Sequence, residues 1–298
     1  MKYHQLKAFL TVAEQGSIRA AARSLHLSQA ALTKALKELE SDLGVSLVLR
    51  TTRGVQLTAY GLRLRTRAQM IVSEMRRAEE DIEHLRSAGT GKVAAAITPT
   101  TAMSFLPAAY RAFRKRMPHA QVSFIEGFTG VALPRLREGS LDFVVAVVVE
   151  EQLAPEFDYF ELYRSQSVIV ARQDHPLARS TTLAELVDAE WLLNPSPESS
   201  TRRLLDFFSE QGLPVPQRVV ECPSFVIAHA LLRGTDAIAS LPEPLLDHPW
   251  VGHGLTVLPI IDPLPPIAIG VVTRRDSPLT PAASMLLDCL QEATRTRV

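Results

Sequence analysis

The chain has 298 residues, 46% of them hydrophobic and 21% charged, with a formal net charge of zero. That composition describes an ordinary soluble globular protein, long enough for a small module plus a two-lobed domain, since domains run ~100–150 residues. No apolar run approaches the ~18 residues needed to span a membrane. The opening Met1-Lys2-Tyr3-His4-Gln5 leads into an amphipathic pattern with no apolar signal core, so the expected location is the cytoplasm. The neutral total hides an asymmetry: residues 1–69 carry 11 Lys and Arg against 4 Asp and Glu, and the remainder is correspondingly acidic. A basic head on an acidic body is the balance expected of a nucleic-acid reader joined to a second domain.

Leu6, Phe9, Leu10 and Ala13 recur at helical spacing and predict a helix over residues 3–15, stopped by Gly16. Ser17 can cap a short helix over residues 18–25, whose Ala20, Ala21 and Ala22 permit close helix approach. Ser28 caps a third helix, with Leu27 placed to staple onto Leu32 and a core face of Leu32, Ala35, Leu36, Leu39 and Leu43, ended by Gly44. Helix, tight turn and helix form a helix-turn-helix, whose second helix enters the major groove. On the opposite face Gln29, Thr33 and Lys37 sit at i, i+4 and i+8 with Lys34 beside them. An amide suits adenine, a hydroxyl suits any base, and an ammonium suits guanine or phosphate. A solvated polar face would present the same residues.

Two short apolar runs, Leu47-Val48-Leu49-Arg50 and Val55-Gln56-Leu57-Thr58, flank a basic turn containing Gly54 and predict a β-hairpin wing. Arg50 and Arg53 on such a wing would meet phosphates or a narrow minor groove. The whole stretch from Phe9 to Gly61 resembles the LysR-type DNA-binding domain. The likeness rests on Gly16-Ser17, Ala20-Ala21-Ala22, Leu27-Ser28-Gln29, Leu39-Glu40, Leu43-Gly44, Arg53-Gly54 and Leu57-Thr58. One position departs: Ala30 stands where that family usually has Pro. Both residues suit the first turn of a helix, so the departure bears on half-site preference and not on DNA binding. With it, the candidate DNA contacts are Ser28, Gln29, Ala30, Thr33, Lys34, Lys37, Arg50 and Arg53.

Residues 59–86 contain no Pro, and Leu64, Ala68, Ile71, Met75, Ala78, Ile82 and Leu85 alternate steps of four and three. That is an a/d heptad seam, expected to pair two copies of the chain; a single helix lying on its own domain would show the same stripe. The segment Ser87-Ala88-Gly89-Thr90-Gly91 follows as a hinge.

Beyond Lys92 strands and helices alternate, predicting an α/β domain with a mainly parallel sheet. Strands are expected at 93–98, 121–126, 142–148, 167–172, 191–194, 218–222, 237–241 and 267–273. Helices are expected at 102–115, 131–137, 183–187, 200–211, 225–233 and 281–293. The last strand and helix should return to the first lobe. Two lobes crossed twice resemble periplasmic binding proteins, which is what the LysR family's effector domain looks like. Leu136-Arg137-Glu138-Gly139 and His175-Pro176-Leu177-Ala178 are similar to family segments as well.

The expected fold is therefore α+β multidomain: a winged helix-turn-helix over 1–58, a linker helix over 59–88 and a two-lobed effector domain over 89–298. Lobe I spans about 92–162 and 267–298, and lobe II about 163–266. Ligands of open α/β sheets bind beyond the C-terminal strand ends. The candidate effector contacts are the turn residues Thr98, Thr100, Thr101, Phe128, Thr129, Ser196, Thr201, Arg202, Phe225 and Val226. Their hydroxyls and free helix N-terminal N–H groups suit an organic anion, and the two Phe could wall an aromatic ring. Such turns also simply cap helices. The turn Cys222-Pro223-Ser224-Phe225 is similar to that of regulators of aromatic sulfonate or carboxylate degradation.

The resemblance implies four partners: double-stranded promoter DNA with dyad symmetry, a small effector, a second copy through the linker helix, and a tetramer of two such pairs. RNA polymerase is a further candidate partner. No cofactor, metal site or enzymatic activity is expected, because no phosphate-binding Gly-rich loop, nucleophile elbow or metal-ligand spacing is present. A binding-protein-like enzyme or solute receptor with an appended nucleic-acid module is the competing reading. Cys222 and Cys289 are either a redox pair or two idle thiols.

Overall fold

A computed structural model describes residues 1–51, 54–86, 89–148, 153–194 and 200–295. The chain forms two compact units, Met1–Glu83 with Arg137–Ser140 and His84–Leu136 with Leu141–Val298.

In the first unit three helices, α1 (Tyr3–Gln15), α2 (Ile18–Ser24) and α3 (Gln29–Leu43), close on Leu6, Phe9, Val12, Ala21, Leu32, Leu36 and Leu39. Each boundary has a local cause. Gly16 (φ 60°) and Gly44 (φ 69°) end α1 and α3 in the left-handed region, where a Cβ is disfavoured. Ser17 and Ser28 accept the N–H groups of Ala20 and Ala31, capping α2 and α3. Two core expectations need correction. Leu43 and Leu27 are exposed, so α3 sheds its apolar stripe at both ends and the Leu27 staple is open to solvent.

The wing is β1 (Val48–Thr51) paired antiparallel with β2 (Gly54–Leu57), and Thr51 faces Gly54 across the tip. Val55 N–H donates to Gly16 O at 2.8 Å, fastening β2 to the end of α1. A Cβ on Gly54 would meet that same Gly16 oxygen at 2.5 Å, which is why a glycine opens β2.

The long helix α4 (Ala59–Arg86) is one uninterrupted rod. Its first turns belong to the helix-turn-helix unit: Ala68 is fully buried in that core, with Leu64 and Val72 packed beside it. The helix starts at residue 59, where the linker was expected to begin, but its first turns pack into the helix-turn-helix core. Leu64 and Ala68 are also removed from the expected pairing seam, because they bury surface against their own domain.

In the second unit one five-stranded sheet has the order β4-β3-β5-β12-β6 and another the order β11-β7-β10-β8-β9. The first contains β3 (Lys92–Ile97), β4 (Gln121–Glu126), β5 (Phe143–Val147), β6 (Phe157–Ser165) and β12 (Ile267–Arg274). Helices α5 (Pro99–Ser104), α6 (Leu106–Arg116), α7 (Thr129–Arg137) and α11 (Pro281–Arg295) pack on its two faces. The second contains β7 (Ser167–Arg172), β8 (Glu190–Leu193), β9 (Val219–Glu221), β10 (Ala237–Pro242) and β11 (Leu255–Val257). Helices α8 (Ser200–Glu210), α9 (Phe225–Gly234) and α10 (Pro249–Gly252) complete that lobe. Its centre is Trp191, fully buried, edge-on to Phe208 at 5.7 Å and donating its indole N–H to Leu186 O at 2.9 Å.

Three expectations fail for physical reasons. The sheets are mixed rather than mainly parallel: β7 and β12 arrive directly from the other lobe with no helical crossover, and each runs antiparallel to its neighbours. The single helix expected over 102–115 is two, because Pro107 has no N–H to continue α5 and its ring disfavours a helical bond across the junction. Strand β6 is missing from the sequence reading because a bulge opposite Ile269 and Gly270 breaks its period-two alternation.

Candidate nucleic-acid interface and ligand pocket

On α3 the face opposite the core is continuous. Gln29, Ala30, Lys34 and Lys37 are exposed and Thr33 is half-buried, and together with Glu38 they border one open groove. Ser28 is committed to its cap. Lys34 faces Glu38 at 3.9 Å with both side chains largely in water, a pair too weak to hold the ammonium. Arg50 is exposed on β1, whereas Arg53 lies outside the described residues.

A residue quoted above only for the family likeness, and given no role there, fixes the wing to this helix. Glu40 accepts the N–H of Leu47 at 2.7 Å and of Val48 at 3.2 Å, tying the end of α3 to the start of β1. Removing the acceptor strands two part-buried donors, so Glu40→Ala should cost ~1–3 kcal/mol in thermal or urea unfolding. Glu40→Gln keeps one acceptor oxygen and should recover much of it. Wild-type stability in Glu40→Ala would show that the tie contributes nothing.

In the second unit the C-terminal ends of strands from both lobes surround a cavity of about 120 Å³. Thr98, Pro99 and Thr100 open α5, and Phe128 and Thr129 open α7, all from lobe I. Thr201 in the first turn of α8 and Phe225 at the start of α9 come from lobe II. Four helix N-termini, each carrying the partial positive charge of a helix dipole, thus border one apolar-walled space.

Among the described residues no Lys, Arg, His, Asp or Glu lines it. The wall also holds Val147, Leu193, Cys222, Ser240 and Leu241, which the sequence reading missed. Val147, Leu193 and Cys222 sit at or just beyond strand ends and Ser240 and Leu241 in the last residues of β10, so the strand-end rule would have located them had each strand been followed to its end.

Three expected contacts are placed elsewhere. Thr101 is fully buried behind Thr100, its hydroxyl 3.0 Å from Tyr163 Oη and 3.3 Å from Thr98 Oγ1. One residue along a helix turns a side chain by ~100°, and here that turn separates cavity from core. Arg202 points to solvent and pairs with Asp206 at 3.3 Å. Val226 is 57% exposed on the outer face of α9. Ser196 lies outside the described residues.

Burial pushes the Tyr163 phenol up from its usual 10.0 to about 12, with the Thr101 hydrogen bond pulling the other way. A folded-state pKa above the unfolded one gives stability that is complete below pH 10 and is lost as pH climbs towards 12. Tyr163→Phe should therefore flatten the alkaline fall in unfolding midpoint across that window. An identical alkaline profile in the variant would contradict the assignment.

A basic winged helix-turn-helix and a two-lobed α/β domain with a cavity at its strand ends define a ligand-sensing DNA-binding regulator. Residues 3–62 match the bacterial regulatory helix-turn-helix protein, lysR family, and residues 86–295 match the LysR substrate binding domain. The chain belongs to the LysR family of transcriptional regulators, and it is a regulator and not an enzyme.

It is 29% identical over 301 residues to the transcriptional regulator GbpR of Azospirillum brasilense, covering 100% of this chain and 88% of that one. It is 28% identical over 295 residues to the transcriptional regulator PcaQ of Agrobacterium fabrum, covering 98% and 95%. The crystal structure of CbnR, a LysR family transcriptional regulator, superposes with a TM-score of 0.73 at 24% identity, covering 99% of each chain. Among the described residues no helix is long and apolar enough to cross a membrane, and no group of three His, Cys, Asp or Glu is placed to hold a metal ion.

Proposed function

We propose that this regulator reads a dyad-symmetric promoter site as a linker-paired dimer, itself doubled into a tetramer, and is switched by a small organic anion with an aromatic ring. The observation that carries the effector reading is the convergence of four helix N-termini, two from each lobe, on one cavity walled by Phe128 and Phe225. A ligand touching both lobes binds one interlobe arrangement better than another, and only such a difference shifts the equilibrium between them. Gln29 and Thr33 read base edges, while Arg50 and Arg53 hold phosphates. The effector changes DNA bending or footprint length more than affinity for a half-site.

Self-pairing rests on α4. Its Ile71, Met75 and Ile82 are 39%, 42% and 60% exposed, and Ala78 between them is exposed too. Leu85, the last expected seam position, has a side chain outside the described residues. The helix is also polarised in charge. Arg63, Arg65 and Arg67 are the only charged residues of its first half, while the second half carries Glu74, Glu79, Glu80, Asp81 and Glu83 against Arg76, Arg77 and Arg86, a net charge of −2. Two copies laid antiparallel bury the apolar residues and set each basic half beside an acidic one.

A thermal-shift screen of aromatic and aliphatic acids on the full chain tests the effector reading, since a ligand of the native state raises its melting temperature. The reading requires that an organic acid does so and that Thr100→Val weakens it. No response to any acid would contradict it.

A further inference from the structure

Resting on that reading of the interlobe cavity, the geometry points to a ligand that is a single compact ring with at most one negative charge, bound with the Cys222 thiol against it. Three observations converge. The cavity of about 120 Å³ is close to the ~150 Å³ that accommodates benzene in an engineered protein core, so a single six-membered ring matches its size. Among the described residues no cationic side chain lines the wall. A second carboxylate would be desolvated there with no partner charge, while a first can draw on hydroxyls and helix N–H groups. Thr100 is 7% exposed, lines the cavity, and has no hydrogen-bond partner for its hydroxyl among the described residues, leaving one polar atom for a ligand to satisfy.

Cys222 stands on the lobe II wall next to Phe225, at the turn from β9 into α9. Its backbone N–H donates to Leu193 O at 2.7 Å and its thiol to Ser224 O at 3.3 Å, which fixes the sulfur at the cavity edge. A polarisable sulfur at the edge of an aromatic ring is a favourable contact. It also distinguishes the two thiols of this chain. Cys222 is half-buried and faces the cavity, whereas Cys289 is 1% exposed in the lobe I core.

The test is alkylation of the full chain with iodoacetamide, followed by peptide mass spectrometry. The Cys222 sulfur displaces iodide, its proton passing to solvent, and Cys289 serves as the internal control. Benzoate and singly substituted benzoates, phthalate, and 2-naphthoate are the competing ligands, and each is also run in a thermal shift. A one-ring monoacid present at roughly ten times its dissociation constant should slow Cys222 alkylation about tenfold and leave Cys289 unchanged. Phthalate and naphthoate should not protect. Cys222→Met, which fills the cavity edge, should weaken binding of the protecting acid more than about tenfold, and Cys222→Ser far less, by the steric rule for overpacked sites.

Equal protection by phthalate or naphthoate overturns the ligand class. An acid that raises the melting temperature but neither protects Cys222 nor responds to Cys222→Met overturns the thiol contact, while leaving the effector reading intact. If no acid binds by either measure, both fall.

Discussion

Ile71→Glu combined with Met75→Glu should turn the regulator into a monomer in sedimentation and reduce binding to a two-half-site DNA by about 10²–10⁴. Both side chains are exposed in the single chain, so in the monomer each new carboxylate stays in water and the helix-turn-helix keeps its melting temperature. In the pair the four carboxylates would be buried in one apolar seam, each at several kcal/mol, and every ~1.4 kcal/mol shifts the dimer constant tenfold. What is lost on DNA is the second contact, which in the dimer is effectively intramolecular. Affinity for an isolated half-site should stay as it was. The same substitution at Leu64 or Ala68 should instead unfold the head, because those two positions already face its core. A double variant that sediments as wild type and protects its site would move the interface elsewhere.

Gln29→Ala should cost ~1–3 kcal/mol on the cognate site and almost nothing on random DNA, because an amide paired to an adenine edge carries sequence information and little general affinity. Gln29 is exposed at the first turn of α3, and Ala is a better helix former, so the fold is not at stake. Arg50→Ala should behave oppositely, weakening both DNAs alike and lowering the slope of log affinity against log salt by about 1. Comparing the two variants in salt titrations separates base reading from charge. Equal losses on both DNAs from Gln29→Ala would reassign the residue to the phosphate backbone.

How much of this was legible in the residues depends on whether a signal was local. Helix α1 lies where its apolar spacing and Gly16 place it, and the wing where its two short runs place it, because caps and turns act over four residues. The seam on α4 was legible as a periodicity, but a period does not say what covers it. Leu64 and Ala68 carry the same a/d pattern as Ile71 and Met75 and are covered by their own domain.

At the cavity the turns were found and the individual hydroxyls were not, since Thr100 and Thr101 are interchangeable in sequence and separated only by the turn of α5. Leu193 and Leu241 looked like any other buried strand residue until their sheet ends were placed side by side. Bulged β6 and the antiparallel course of β12 depend on pairings between distant segments, which no local window contains.

Selection of binding sites from a pool of random duplexes by the full-length chain tests the central claim most directly. Two recognition helices on a paired molecule predict enrichment of an inverted repeat whose half-sites lie a whole number of ~10–10.5 bp turns apart. The enriched repeat should lose its information content at one base position per half-site in Gln29→Ala. Enrichment of a single unpaired half-site, or of no sequence at all, would contradict the account.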